Sequence, residues 1–196
     1  MKREFREKLI SALALQMPYS ERPKLKPHLN RAAVLAIFGI SKTEKLPQIL
    51  VTQRTEQVDT HKGQMAFPGG MCESHETDEQ AALRETEEEV GISPDILEVL
   101  GKLPEFATPT GFRIMPVVGL LQTSIEEAHL KLNSSEIAAA LWVSTSELKR
   151  VYRKELFTVG AVKYPIHVFE VGKYRIWGAT GLMIKNMLDR LETLGY

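Results

Sequence analysis

The chain has 196 residues, of which 43% are hydrophobic and 26% charged, with 25 basic and 25 acidic side chains. This length supports one domain with a sizeable core, and the composition excludes disordered, low-complexity and collagen-like architectures. A formal net charge of zero argues against a general nucleic-acid binder, which is usually basic, and leaves any phosphorylated ligand to local cations or a metal.

From the N-terminus, Met1–Glu7 mixes acids with bases, and Phe5, Leu9, Ala12 and Leu13 recur at helical spacing. The segment therefore predicts a short amphipathic helix, not a signal peptide. A Pro-rich loop follows from Pro18 to Pro27, so residues 1–30 read as helix plus loop and residues 31–196 as the main domain. Ala32 to Phe38 predicts a buried strand, and Ile49 to Arg54 alternates as a second. Gln64 to Phe67 is short and extended, and Pro68-Gly69-Gly70 stops it.

Thr77 followed by Gln80 is a capping-box pattern, and it opens the clearest helix, which runs to Val90 and is stopped by Gly91. Phe112 to Leu121 predicts a strand in which Pro116 marks an edge or a bulge. His129 to Leu132 and Ala138 to Val143 are further strand candidates. Ser144 and Glu147 are a second capping-box candidate, opening a short helix through Lys149. Ile166 to Val171 and Tyr174 to Trp177 predict a hairpin turning at Gly172-Lys173. Met183, Met187 and Leu191 space a closing helix from Thr180 to Leu194. Strands and helices mix without a regular βαβ rhythm, which predicts an α/β (α+β) architecture around a mixed sheet and excludes Rossmann and barrel folds. No stretch reaches the length of a membrane span. The single cysteine, Cys72, permits no intramolecular disulfide and fits a reducing compartment, so a cytoplasmic location is expected.

The central helix carries the chemistry. With Glu85 as origin on a helix turning about 100° per residue, Glu89 lies roughly 40° to one side and Glu88 roughly 60° to the other. Glu87 points elsewhere, and Leu83 and Val90 fall on the expected core side. Like charges on one helix face repel, and a divalent cation removes that cost. Mg²⁺ suits such oxygen ligands and pairs with substrate phosphates. Arg84 stands beside the arc, within reach of the carboxylates or Glu76, while Gly69 and Gly70 let backbone groups approach a metal or an anion. The plain alternative is a solvated acidic helix.

Gly70, Glu76 and the run Arg84-Glu85-Thr86-Glu87-Glu88-Glu89-Val90-Gly91-Ile92 occur at the offsets of the Nudix hydrolase signature, with Thr86 where that family usually has an aliphatic residue. The chain thus resembles the Nudix hydrolases. The resemblance implies the Nudix fold, a mixed β-sheet sandwiched between α-helices, with residues 31–196 as the hydrolase domain. It also implies metal-dependent hydrolysis of a nucleoside diphosphate linked to another group. Leu50-Val51-Thr52-Gln53-Arg54, His61-Lys62-Gly63-Gln64, Phe67-Pro68-Gly69-Gly70, Thr108-Pro109-Thr110-Gly111-Phe112, Pro116-Val117-Val118-Gly119, Ser135-Glu136, Leu141-Trp142-Val143 and Ile176-Trp177-Gly178-Ala179-Thr180 are similar to the coenzyme A pyrophosphatase subfamily. There the products are 3′,5′-ADP and 4′-phosphopantetheine. Two departures are Thr55, where that subfamily has Ser or Ala, and Asp59, where it has Arg. The second weakens a polyphosphate site and keeps ADP-ribose or a nucleotide sugar as an alternative substrate. A non-catalytic nucleotide-binding module is a third alternative; such modules commonly lose the carboxylates that this chain retains.

On this resemblance Glu85, Glu88 and Glu89 are metal ligands for Mg²⁺ (or Mn²⁺), with the Gly70 carbonyl as a further oxygen, Arg84 holding the carboxylates, and Glu76 supporting it. The general base is Glu88 or Glu89, or a later-loop carboxylate, Glu136 or Glu127. For Glu136 a plain surface acid is the competing account. Arg54, His61 and Lys62 are phosphate-binding candidates beside Gly69 and Gly70. Against these, Lys62 also reads as a solvated loop cation and His61 as a partner for a loop carbonyl. Phe67 and Trp177 read as core. Cys72 reads as incidental, since no base partners it. The expected partner is a small-molecule nucleotide, neither nucleic acid nor membrane. Many relatives are dimers, so a homodimer in which the N-terminal helix takes part is an open assembly state.

Overall fold

The structure, a computed structural model, describes residues 1–15, 29–56, 63–108, 111–159 and 162–196. Its main sheet has eight strands, and the way two of them part company makes the site. Strand β1 (Asn30–Ile40) and β2 (Pro47–Arg54) start as an antiparallel pair, with Phe38 opposite Ile49 and Ile40 opposite Pro47. Beyond that they separate, and a short connection fills the wedge. Strand β3 (Met65–Ala66) pairs with β2, and β4 (Gly69–Met71) pairs with β1. The Leu35 amide donates to the Pro68 carbonyl at 2.8 Å, which pins the connection to the sheet.

The helix α2 (Asp78–Val90) follows. The Thr77 hydroxyl accepts from the Gln80 amide and the Gln80 side chain accepts from the Thr77 amide, so the capping box forms in full. Gly91 ends the helix at φ +72°, a left-handed turn that glycine enters without side-chain strain. Strands β5 (Leu97–Lys102) and β6 (Phe106–Ala107) both pair with β7 (Phe112–Ser124). Strand β7 runs parallel to β1, which makes the sheet mixed, and β8 (Ile137–Ser144) closes the far side against β2. Alternate residues of β1 serve two cores. Ala33, Leu35 and Ile37 face α2 together with Ala81, Ala82 and Val90, whereas Ala36 and Phe38 face the terminal helices.

Those helices are α1 (Lys2–Ala14) and α4 (Gly178–Thr193). Phe5, Leu9 and Ala12 of α1, and Met183, Met187 and Leu191 of α4, are buried as their spacing predicts. The buried Arg190 of α4 donates to the Ala12 and Leu15 carbonyls, joining the two helices. Between β8 and α4 lie α3 (Thr145–Val151), capped by the Ser144 hydroxyl, and a second sheet of β9 (Tyr152–Val159), β10 (Val162–Val171) and β11 (Tyr174–Ile176). Among the described residues no helix is long and apolar enough to cross a membrane.

Four expectations change. Strand β2 does not alternate in burial: its first six residues are all buried, because helices cover both faces of the sheet. Pro116 is neither at an edge nor on a lone bulge. It is buried in β7 opposite Val34, beside the gap between β5 and β6, where the ladder asks for no amide and the Leu103 amide donates to its carbonyl. His129 to Leu132 is a loop, in which the Lys131 amide caps the Val90 carbonyl at the end of α2. Strand β9 escapes a periodicity argument, because Arg153-Lys154-Glu155 gives no apolar face, and it joins the expected hairpin of β10 and β11 to make the small sheet.

Phe5 is 2% exposed and in ring contact with Phe38 of the sheet. Truncation to alanine therefore leaves a cavity in the larger core. Phe5→Ala is expected to lower unfolding free energy by about 3 kcal/mol, seen in urea as a lower midpoint at an unchanged slope.

Candidate active site

The acidic face of α2 looks into the wedge floored by Gly69 and Gly70, and its three carboxylates are graded by depth. The side chain of Glu89 is 3% exposed, that of Glu85 17% and that of Glu88 56%. The core side of the helix is Ala82, Thr86 and Val90, with Leu83 only partly buried. Thr86 takes an aliphatic position without leaving its hydroxyl unpaired, because Oγ1 donates to the Ala82 carbonyl at 2.7 Å. The helix is anchored to the sheet by Arg31 on Asp78 at 2.9 Å and by Lys102 on Glu79 at 2.8 Å.

Arg84 binds the acidic face together. Its Nε and Nη2 donate to the two oxygens of Glu76 at 2.7 and 3.1 Å, and its Nη1 donates to Glu85 at 2.9 Å and Glu88 at 3.1 Å. The Arg84 bonds and the Glu73 amide hold the Glu76 carboxyl far below its usual range, at about 2. Glu76, in turn, is the first of the groups that keep Arg84 charged. Glu85 shifts the other way. Burial raises its pKa, Arg84 opposes this, and the charges of Glu88 and Glu136 add to the rise.

Glu89 is the deepest acid of the face. Its Oε2 accepts from the Gly69 amide at 3.1 Å and its Oε1 from Arg54 Nη1 at 3.2 Å. Burial nevertheless pushes its pKa up to about 7, and Glu85 and Glu136 push in the same direction. Gly69 has φ +149°, and a Cβ there would lie 2.3 Å from the Ala33 carbonyl oxygen, so only glycine presents this amide. A Cβ on Gly70 would meet the Glu85 carboxylate at 2.5 Å. The second glycine thus leaves the space that the carboxylate occupies.

Glu136 reaches this group from a distant loop. The Thr55 amide donates to its carbonyl at 2.7 Å and the Asn133 side-chain amide to its Oε1 at 3.3 Å, while the Asn133 amide caps the Glu89 carbonyl at 2.9 Å. Asn133 was not among the sequence candidates, although Asn133-Ser134-Ser135 is a recognisable turn composition. Glu127 does not join the site. It binds Lys42 and Ser124, which hold its pKa near 2. Cys72 lies near Asp78, and burial raises its thiol pKa, which keeps it unreactive. Asp59, His61 and Lys62 lie outside the described residues.

Comparison with known proteins agrees with this geometry. The NUDIX domain family model matches residues 29–160. The uncharacterized Nudix hydrolase NudL of Enterobacter sp. (strain 638) is 33% identical over 172 residues, covering 85% of this chain and 86% of that protein. The crystal structure of RenU, a Nudix hydrolase from M. smegmatis, aligns at 25% identity and TM-score 0.51 over 62% of this chain and 74% of that one. A MutT protein from Methanosarcina mazei shares the fold at 17% identity and TM-score 0.56, covering 88% of this chain and 99% of that one. The chain belongs to the Nudix hydrolases, pyrophosphatases that generally use divalent cations and act on small nucleotide substrates.

The residues present suit such a cation in kind. Glu85, Glu88 and Glu89 offer hard oxygen donors, and Gly70 keeps side-chain bulk away from Glu85. Their side chains are at present turned to the arginines, and among the described residues no three His, Cys, Asp or Glu groups are gathered into a ready-made metal cluster.

The nearest atoms that a methyl at position 70 meets belong to the movable end of Glu85. Gly70→Ala should therefore keep its melting temperature within a few degrees while losing at least about tenfold in kcat/KM, checked by calorimetry and steady-state kinetics. The raised pKa of Glu89 has a defined consequence for stability. An acid that ionises less readily when folded costs nothing below its unfolded value of 4.5, costs progressively more up to about 7, and keeps the full cost above that. Glu89→Gln in EDTA should match the parent near pH 4.5 and exceed it above pH 7 by on the order of 3 kcal/mol, measured by denaturant titration at both pH values.

Proposed function

We propose that this Nudix hydrolase cleaves the pyrophosphate bond of coenzyme A or its derivatives, giving 3′,5′-ADP and 4′-phosphopantetheine. The observation that carries the catalytic part is the set of Glu85, Glu88 and Glu89 beside Gly69 and Gly70, with Arg84 locked onto it by Glu76. The coenzyme A assignment rests on the sequence resemblance that runs from Leu50 to Thr180. Asp59, an acid where that subfamily has a cation, favours ADP-ribose or a nucleotide sugar as the second reading.

Glu85, Glu88, Glu89 and the Gly70 carbonyl would hold Mg²⁺ or Mn²⁺. Such a cation, when bound, neutralises phosphate oxygens and makes a coordinated water more acidic. The chain's own residues then have separate tasks. Arg84 fixes the rotamers of Glu85 and Glu88 and is itself held by Glu76, so the carboxylates are set before substrate arrives. Arg54 provides a partly buried guanidinium at the end of β2 for a phosphate oxygen, and the backbone at Gly69 and Gly70 lets the diphosphate come close. Glu136 takes the proton of the attacking water. Among the described residues its Oε1 accepts one long bond, from the Asn133 side-chain amide, whereas both oxygens of Glu89 already accept hydrogen bonds.

Incubation with coenzyme A and with ADP-ribose in Mg²⁺, followed by mass spectrometry, decides between the substrates. The expected product is 3′,5′-ADP from coenzyme A; AMP from ADP-ribose at the higher kcat/KM supports the second reading instead. Glu89→Gln is expected to lower kcat on the order of a hundredfold or more with an unchanged near-ultraviolet circular dichroism spectrum. Near-parental turnover by that variant would refute the metal assignment.

A further inference from the structure

Arg54 is held in an unusual way. At the end of β2 the register with β8 slips, with Gln53 opposite Ala139 and Arg54 opposite Ile137, so Ala138 is bulged out. Strand alternation puts Arg54 on the same face of β2 as Leu50, which packs with Ala81 and Ala82 of α2, so beside this slip the side chain of Arg54 is turned in toward α2. Its Nη1 makes a single bond to Glu89 at 3.2 Å, while its Nε is buried with no hydrogen-bond partner. A guanidinium is a fixed fork that prefers two parallel bonds to one anion. Bound at one point with a buried donor unused, Arg54 is under-satisfied at Glu89.

Arg84 is a useful contrast. Glu76 grips it through two nitrogens and Met71 offers a carbonyl, so Arg84 keeps its place whatever happens at Glu85 and Glu88. Among the described residues Arg54 has only Glu89 as a hydrogen-bonded side-chain partner. Both oxygens of Glu89 are also engaged, one by Arg54 and one by the Gly69 amide. A divalent cation drawn to Glu89 must therefore contend with a positive charge already bonded to Oε1.

We infer that Arg54 competes with the divalent cation for Glu89 and, once displaced, presents its free fork to a substrate phosphate, so that cation and nucleotide each strengthen the other's binding. The inference rests on the proposed assignment of Glu85, Glu88 and Glu89 as cation ligands. The coupling is reciprocal by necessity: a phosphate that draws Arg54 away from Glu89 must raise cation affinity by the factor by which the cation raises phosphate affinity. Arg54 is on this account a competitor of the cation at Glu89 and a binding residue for the nucleotide. A merely structural Arg54, which holds Glu89 in place, makes the opposite prediction for cation affinity.

The test is titration calorimetry of Mn²⁺ alone into the full-length protein, comparing the parent with Arg54→Gln, Arg54→Lys and Glu89→Gln. Arg54→Gln is expected to bind Mn²⁺ about five- to tenfold more tightly, because the competitor is gone. Arg54→Lys, which keeps a charge but lacks the fork, should fall between it and the parent, and it carries the test if the glutamine variant does not fold. Unchanged or weaker Mn²⁺ binding by the folded Arg54 variants overturns the inference. If the parent meanwhile binds Mn²⁺ and Glu89→Gln loses it, the cation assignment survives that failure. A parent that binds Mn²⁺ no better than Glu89→Gln overturns both.

Discussion

The structure is organised around the mutual repulsion of carboxylates on one face of α2. Glu85 and Glu89 are placed where water is scarce, Glu85 adds to the cost of ionising Glu89 as Glu88 does to that of Glu85, and Glu136 adds a negative charge from outside the helix to both. Left alone, such a group would favour protonation or exposure. Two arginines answer it in different ways. Arg84 is a fixed counter-charge, tied down by Glu76. Arg54 is attached at one point, and that difference in anchoring separates a permanent support from a partner that can be exchanged.

Keeping charged groups in this position requires a rigid frame, and the frame is the wedge between β1 and β2. Because the two strands separate after Phe38, the sheet has an interior gap with unpaired backbone on both sides. The segment from Met65 to Met71 satisfies both edges and places Gly69 and Gly70 at its floor. Helix α2 then lies over the gap, fixed at its start by the capping box and by Arg31 and Lys102, and at its end by Gly91 and the amides of Lys131 and Asn133. The terminal helices and the small sheet cover the opposite face, which explains why the central strands are apolar on both sides.

Much of this was legible from sequence where the physics is local. The capping box at Thr77 and Gln80 and the left-handed stop at Gly91 depend on groups a few residues apart, and the spacing of Phe5, Leu9 and Ala12 needs only the helical repeat. The acidic arc also follows from helix geometry, since Glu85, Glu88 and Glu89 share a side of any α-helix. Where a partner lies far along the chain, local rules failed. Pro116 suggested an edge, but the gap between β5 and β6 gives it a place in a central strand. His129 to Leu132 had the composition of a strand, yet its backbone bonds to the end of α2. Strand β9 carries too few apolar residues to announce itself and exists because β10 pairs with it along its length.

By itself, then, the sequence determined the helices and their ends, the principal strands, the family resemblance and the identity of the carboxylates. These are encoded in spacing, and spacing survives in any context that lets the segment form its element. Tertiary structure decided what those groups experience. The helical wheel makes Glu85, Glu88 and Glu89 neighbours, but only packing against the sheet sinks Glu89 deepest and leaves Glu88 in solvent. Only the packing of β2 beneath α2 brings Arg54 to Glu89, and only the loop hydrogen-bonded to Thr55 brings Glu136 to the same place. Burial and long-range electrostatics depend on what surrounds a residue in three dimensions, and the chain supplies those surroundings only when it folds.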